Sequence, residues 1–167
     1  MGKDVLSSIV LDANVLINFI NVEMDELLFA LPHHLFFATN VVRTELIRPN
    51  QAAALEAALR AGSLHELTVP ATDPVYAALR VRLDDGESSA MAAAIAHGFA
   101  FATDERAAKK VAARDYATLD VVDTPDLVVE MIRADLLSVT EADAMKHVWE
   151  TRYRFALRIG SFRELLG

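Results

Sequence analysis

The chain contains no cysteine, so disulfides and thiolate metal sites are excluded. Long apolar runs are missing too: none reaches the roughly 20 residues needed to span a bilayer. The opening residues, Met1-Gly-Lys-Asp-Val-Leu-Ser-Ser8, lack the apolar stretch of a signal peptide and run straight into a strand-like segment. Gly2 has no myristoylation context, because Leu6 stands where Ser or Thr is needed. A cytoplasmic protein with no membrane partner is the expectation. Positive charge is also short, with 16 Lys and Arg against 24 Asp and Glu and a net charge of −8. That balance argues against a simple nucleic-acid binder, which carries a basic surface. There is no repeat, no low-complexity linker, no phosphate-cradling Walker loop and no nucleophile-elbow glycine pattern around Ser88 and Ser89. His33, His34 and His97 have no convincing zinc partners.

What is present is a chain of 167 residues, 53% hydrophobic, long enough for one domain with a full core. Strand and helix patterns alternate along it. Apolar, β-rich runs at 5–11, 35–39, 64–69, 99–103 and 119–122 predict strands. Helical patterns fall at 14–31, 40–47, 51–61, 74–81, 86–97, 105–114, 126–134 and 140–151, with Asn40 as a candidate cap and Gly62 and Gly98 as stops. Strands separated by helices imply parallel pairing in an α/β fold with both sheet faces covered. Sites in such sheets lie beyond the carboxyl ends of the strands, where the strand order switches.

Four acids meet that expectation. Asp12 ends the run Leu6–Leu11, and Asp104 ends the run Phe99–Thr103. Glu45 follows Val41 and Val42 at helical spacing, and Glu87 shares a face with Ala90, Met91 and Ala94, so both predict inward-facing carboxylates. Each has a plainer reading: Asp12, Asn14 and Asp104 as helix caps, Asp84 and Glu87 as a capping box, Glu45 as a surface glutamate. Together they repel, by roughly 4 kcal/mol per pair at about 4 Å and an effective dielectric near 20. A divalent cation converts that repulsion into binding energy, and all-oxygen ligation suits one or two magnesium or manganese ions. Such a site supports attack of water on a phosphodiester in line.

The segments Ile9-Val-Leu-Asp-Ala-Asn-Val-Leu-Ile17, Val41-Val-Arg-Thr-Glu-Leu46, Gly86-Glu-Ser-Ser-Ala-Met-Ala-Ala-Ala94 and Phe101-Ala-Thr-Asp-Glu-Arg-Ala-Ala108 resemble, in order, the acidic motifs of PIN-domain nucleases. The resemblance covers about residues 5–135, with the Gly86-Glu87 form similar to the DUF3368 branch. It implies a three-layer α/β/α sandwich around a parallel sheet of about five strands. It also implies magnesium- or manganese-dependent cleavage of single-stranded RNA, and the role of toxin in a toxin–antitoxin pair of the VapC kind. Carried over, Asp12, Glu45, Glu87 and Asp104 are the catalytic, metal-binding acids, supported by Asn14 and Thr103. Asp84 and Asp85 are fallback ligands, since Ser89 stands where many relatives have an aspartate. Glu105 and Asp123 are candidates to assist from a second layer. Arg43, Arg106, Lys109 and Lys110 are candidate contacts to the RNA backbone. Partner expectations are the RNA, a cognate antitoxin and a homodimer. Residues 1–135 form the expected nuclease domain, and 136–167 a helical extension packed on it.

Two alternatives stand beside this reading. One is a non-catalytic PIN-like module that binds RNA or protein. The other is a haloacid dehalogenase-like phosphatase, whose chemistry wants a second aspartate where this chain has Asn14. The stretch 126–150 also fits a helix-turn-helix DNA reader, although Glu130, Asp135, Glu141 and Asp143 would repel phosphate. Arg152, Arg154, Arg158 and Arg163 line the C-terminal stretch. Trp149, Tyr153 and Phe155 beside them serve base stacking or, more commonly, helix packing.

Overall fold

The computed structural model describes residues 6–167. Five strands form one all-parallel sheet in the order β3-β2-β1-β4-β5, with helices on both faces. The strands are β1 Ser7–Leu11, β2 His34–Thr39, β3 Leu64–Leu67, β4 Ala100–Ala102 and β5 Val121–Val122. Ile9 pairs with Phe36 on one side and Ala100 on the other, which makes β1 the central strand. The chain builds outward from β1 to β3, returns, and builds outward again through β4 and β5. The switch therefore lies between β1 and β4, the crevice where parallel sheets place their sites. The expected α/β/α sandwich is the fold observed.

Helices α1 Ala13–Asn21 and α2 Asp25–Phe29 follow β1. The single helix expected over 14–31 is thus two. The Met24 N–H bonds the Phe19 carbonyl at 2.9 Å and the Glu23 N–H bonds the Ile20 carbonyl at 3.0 Å. With Glu23 at φ 57, this is a Schellman-type ending. A glutamate fills the slot that glycine normally takes, so no glycine or proline announces the break.

Helices α3 Asn40–Glu45 and α4 Pro49–Ala61 join β2 to β3. Thr39, not Asn40, caps α3, accepting from the Val42 N–H at 3.0 Å. Asn40 instead accepts from the Val69 N–H at 2.8 Å and holds the segment after β3. Proline at the first position of α4 opens that helix, its missing N–H costing nothing there. Helices α5 Pro74–Leu79 and α6 Asp85–His97 precede β4. In α6 every residue from Gly86 to Ala94 is buried, and small side chains at Ala90 and Ala92 to Ala94 bring it close to β1, β2 and β4. Helix α7 Arg106–Asp115 links β4 to β5.

Helices α8 Thr124–Arg133 and α9 Val139–Arg152 follow, then a final 3-10 turn, Phe162–Leu165. Both helices begin with capping boxes, Asp123 with Asp126 and Ser138 with Glu141. Trp149 of α9 is fully buried. Its indole N–H donates to the Asn18 carbonyl at 2.7 Å, and its ring meets Phe19 edge-on at 6.0 Å. Such a pair adds about 1 kcal/mol to the stabilisation from burial. Packing is therefore what Trp149 does, and α9 is committed to α1 rather than presented to DNA. Among the described residues no helix is long and apolar enough to cross a membrane.

Candidate active site

Asp12 stands at the carboxyl end of β1 and is almost fully buried, 1% exposed. Its expected role as a helix cap is observed. One carboxylate oxygen caps α1 by accepting from the Ala13 N–H at 2.7 Å, and the other accepts from the Thr103 hydroxyl at 3.0 Å. Thr103 in turn accepts from the Glu105 N–H at 3.1 Å, so the ends of β1 and β4 are tied together. Among the described residues no cation lowers the pKa of Asp12. Burial, then the charges of Glu87 and Asp84, push its pKa to about 8 against the lowering hydrogen bonds from Thr103 and Ala13.

Glu87 projects from the first turn of α6 and is buried, 7% exposed. Burial first, then the neighbouring charges of Asp84 and Glu105, raise its pKa to about 7. Asp84 caps α6, accepting from the Glu87 N–H at 2.8 Å, and its carboxylate also meets the Glu87 side chain. Glu105 is held in place by the Asn14 amide, which donates to it at 2.8 Å. Asp12, Asp84, Glu87 and Glu105 thus form one acidic neighbourhood assembled from three segments.

Glu45 joins it by a different route from the one expected. It does not point into the core; it is exposed, at the last residue of α3. Its carboxylate instead lies over the amino end of α6, where the Gly86 N–H and the charges of Asp84 and Asp85 reach it. Although the residue as a whole is exposed, desolvation of its carboxylate against α6 is the main cause of its raised pKa, ahead of the Asp84 charge. A Cβ on Gly86 would overlap both Glu45 carboxylate oxygens, so only glycine admits this approach. Gly86→Ala is therefore expected to displace the flexible Glu45 tip and lower activity about tenfold, while circular dichroism and melting temperature stay near those of the wild type. Full activity in that variant would remove Glu45 from the site.

Asp104 sits at the carboxyl end of β4, beside the switch point. It does not cap α7, whose first residue is preceded by Glu105 with no side-chain cap. Its carboxylate accepts from the Thr124 N–H at 2.8 Å, the Thr124 hydroxyl at 2.5 Å and the Asn18 amide at 3.0 Å. Burial still raises its pKa, opposed by the Thr124 bonds. Asn18 and Thr124 were not singled out from sequence. Asn18 lies one turn after Asn14 on α1, a polar position on an otherwise apolar face, which is the available signal. Thr124, between Asp123 and Pro125, reads only as the start of a helix.

The remaining candidates separate. Ser89 is fully buried below the site, hydrogen-bonded to Thr39 at 2.7 Å. Arg43 lies away from the acids, paired with Glu56 and Glu66 at 2.6 Å each. Its charge is spent in those pairs. Lys109 pairs with Asp123 at 2.7 Å. Arg106 and Lys110 are exposed and have no ion-pair partner among the described residues.

Residues 8–155 match the family model DUF3368, a PIN domain. The chain belongs to the PIN-domain family. That match runs through α9, so the family's chain path includes the helix that carries Trp149. A similar solved structure is the crystal structure of PAE2754 from Pyrobaculum aerophilum, 18% identical, covering 76% of this chain and 98% of that one with a TM-score of 0.48. No curated protein matches the chain. PIN domains have a nuclease-type fold and usually bind divalent metals.

The acids of this PIN domain fit such a cation by the chemistry of the donor set. All are oxygen donors, their pKa values are raised by burial and then by one another's charge, and the Gly86 notch leaves the Glu45 carboxylate room. Among the described residues no group of three or more His, Cys, Asp or Glu side chains is placed to hold a metal ion.

Proposed function

We propose that this PIN domain is a metal-dependent endoribonuclease that hydrolyses phosphodiester bonds of single-stranded RNA. The observation that carries the reading is the set of uncompensated carboxylates at the β1/β4 switch, with Asp12 held to a pKa of about 8 by burial and by Glu87. Asp12, Glu87 and Glu45 bind one or two magnesium or manganese ions, and Asp104 completes the site from the β4 side. Bound there, the metal lowers the pKa of a water and offsets charge on the phosphate. Thr103 fixes Asp12, Asn14 orients Glu105, and Thr124 with Asn18 fixes Asp104, so few side chains need to reorganise when substrate arrives. Arg106 and Lys110, whose charges are free, face the RNA backbone.

The proposal extends to the role of toxin in a toxin–antitoxin pair, supported by the family. A neighbouring reading frame for a small protein that co-purifies with this one and silences it would support that role. The phosphatase alternative loses its footing. The chain is a PIN domain, and Asn14, where that chemistry needs an aspartate, serves to hold Glu105. Cleavage of labelled single-stranded RNA tests the enzyme directly. Activity is expected to vanish in chelator, to return with manganese, and to fall about a hundredfold or more in Asp104→Asn. Cleavage indifferent to chelator refutes the metal, and binding of RNA without any cleavage favours the non-catalytic module.

A further inference from the structure

We propose that Arg106 and Arg158 form an anion subsite beside Asp104 that grips a backbone phosphate of the substrate strand next to the bond being cut. The inference rests on the nuclease reading for its ligand, and on the following geometry for its place. A groove of about 410 Å³ opens against Asp104 and is lined by Arg106, Lys109, Asp123, Phe155 and Arg158, among others. Two of its three cations are uncommitted. Lys109 is neutralised by Asp123, whereas Arg106 and Arg158 are exposed and have no ion-pair partner among the described residues. Elsewhere Arg43, Arg80, Arg82 and Arg114 are neutralised by carboxylates; Arg106 and Arg158 are set apart by lying on one groove. Two guanidiniums on one groove, without ion-pair partners among the described residues, attract an anion. Their planar forks match phosphate oxygens.

The C-terminal segment that delivers Arg158 is pinned at both ends. The Phe155 N–H donates to the Trp149 carbonyl at 3.1 Å, and its ring lies edge-on to Trp149 at 5.4 Å. Further along, the Ser161 hydroxyl and the Phe162 N–H both reach Asp143, at 2.7 and 2.8 Å, and Phe162 is fully buried. Arg158 therefore spans a short tethered stretch rather than a free tail, which lowers the entropy lost when it binds. Arg106 is the first residue of α7, and Glu105 leaves that helix without a side-chain cap, so the positive end of its dipole faces the same groove. The family's acidic motifs do not include residue 158. The segment after α9 supplies to this site a charge that the acidic core lacks.

The test uses the full chain, a fluorescent single-stranded RNA and the variants Arg106→Ala, Arg158→Ala and Arg158→Lys. Binding is measured by anisotropy in chelator across a salt series, and cleavage in manganese. Each alanine is expected to weaken binding roughly threefold to tenfold and to lower the slope of log affinity against log salt by about 0.7. Arg158→Lys is expected to keep the slope and lose part of the affinity. In cleavage the alanine effect should fall on KM rather than kcat, which marks positioning of substrate. If the wild type binds RNA with this arginine-dependent slope but never cleaves it, the nuclease reading fails and the subsite stands. If the wild type cleaves and the alanine variants match it in KM and salt slope, the subsite fails and the nuclease reading stands. A loss confined to kcat, or no RNA binding by the wild type, overturns the subsite as well.

Discussion

Asp12→Asn is expected to lower RNA cleavage by at least about a hundredfold and, in metal-free buffer at pH 8, to raise the stability of the fold by several kcal/mol. The two effects share a cause. Asp12 is buried and faces the charges of Glu87 and Asp84, so its ionised form is costly in the folded chain. Asparagine keeps the shape and removes the charge. Its carbonyl can still cap Ala13, and the Thr103 hydroxyl can turn to accept from the new amide, so the tie between β1 and β4 survives. The gain should vanish below the unfolded value of 3.8, where the wild-type carboxyl is neutral in both states. Thermal melting of the two proteins at pH 4 and pH 8, beside a cleavage assay, decides the matter. An unchanged rate removes Asp12 from the mechanism. A lost rate with a lowered melting temperature at pH 8 means that the variant damages the fold rather than the site.

The metal-free wild type is expected to lose stability steadily as pH rises from about 4 to about 8, and manganese should abolish that loss. The sign follows from the raised folded pKa values. Between the unfolded 3.8 and the folded value of about 8, Asp12 holds its proton in the native chain and releases it on unfolding. The native state therefore binds more protons, and stability falls with a slope of about 1.4 kcal/mol per pH unit for this one group. Glu87, raised from 4.5 to about 7, acts in the same direction. Its main cause is again burial, followed by Asp84. A bound divalent ion favours the ionised acids and competes with their protons, so stability from binding grows as pH rises. Denaturant midpoints measured from pH 4 to 8 in chelator and in manganese give both slopes. Subtracting the Asp12→Asn series removes the contribution of titrating groups that do not interact with Asp12, leaving Asp12 and its coupling to Glu87. A difference that does not vary with pH would contradict the electrostatic picture of the site.

Much of this architecture was legible before any coordinates. Strand and helix alternation predicted the parallel sandwich, because β-rich apolar runs and capped amphipathic stretches are local patterns. Asp12 and Asp104 were placed at strand ends for the same reason. The break at Glu23 was not legible, since a non-glycine residue takes the left-handed position there. Nor was the orientation of Glu45, which depends on Gly86 of a distant helix leaving a gap. Asn18 and Thr124 escaped notice because each also has an ordinary helical use. Arg43 looked like an RNA contact until Glu56 and Glu66, 13 and 23 residues further on, were seen to neutralise it.

By itself, the sequence determined the class of fold, the strand ends that carry Asp12 and Asp104, and the excess of acids awaiting a cation. Those properties follow from side-chain periodicity and composition along a few residues. Only the tertiary structure decided which charges are compensated: Asp12 against Glu87 and Asp84, Lys109 spent on Asp123, Arg106 and Arg158 without an ion-pair partner among the described residues. Charge compensation is a matter of distance in space. Residues 75 and 91 positions apart become neighbours only when the sheet order brings β1, α6 and β4 to one crevice.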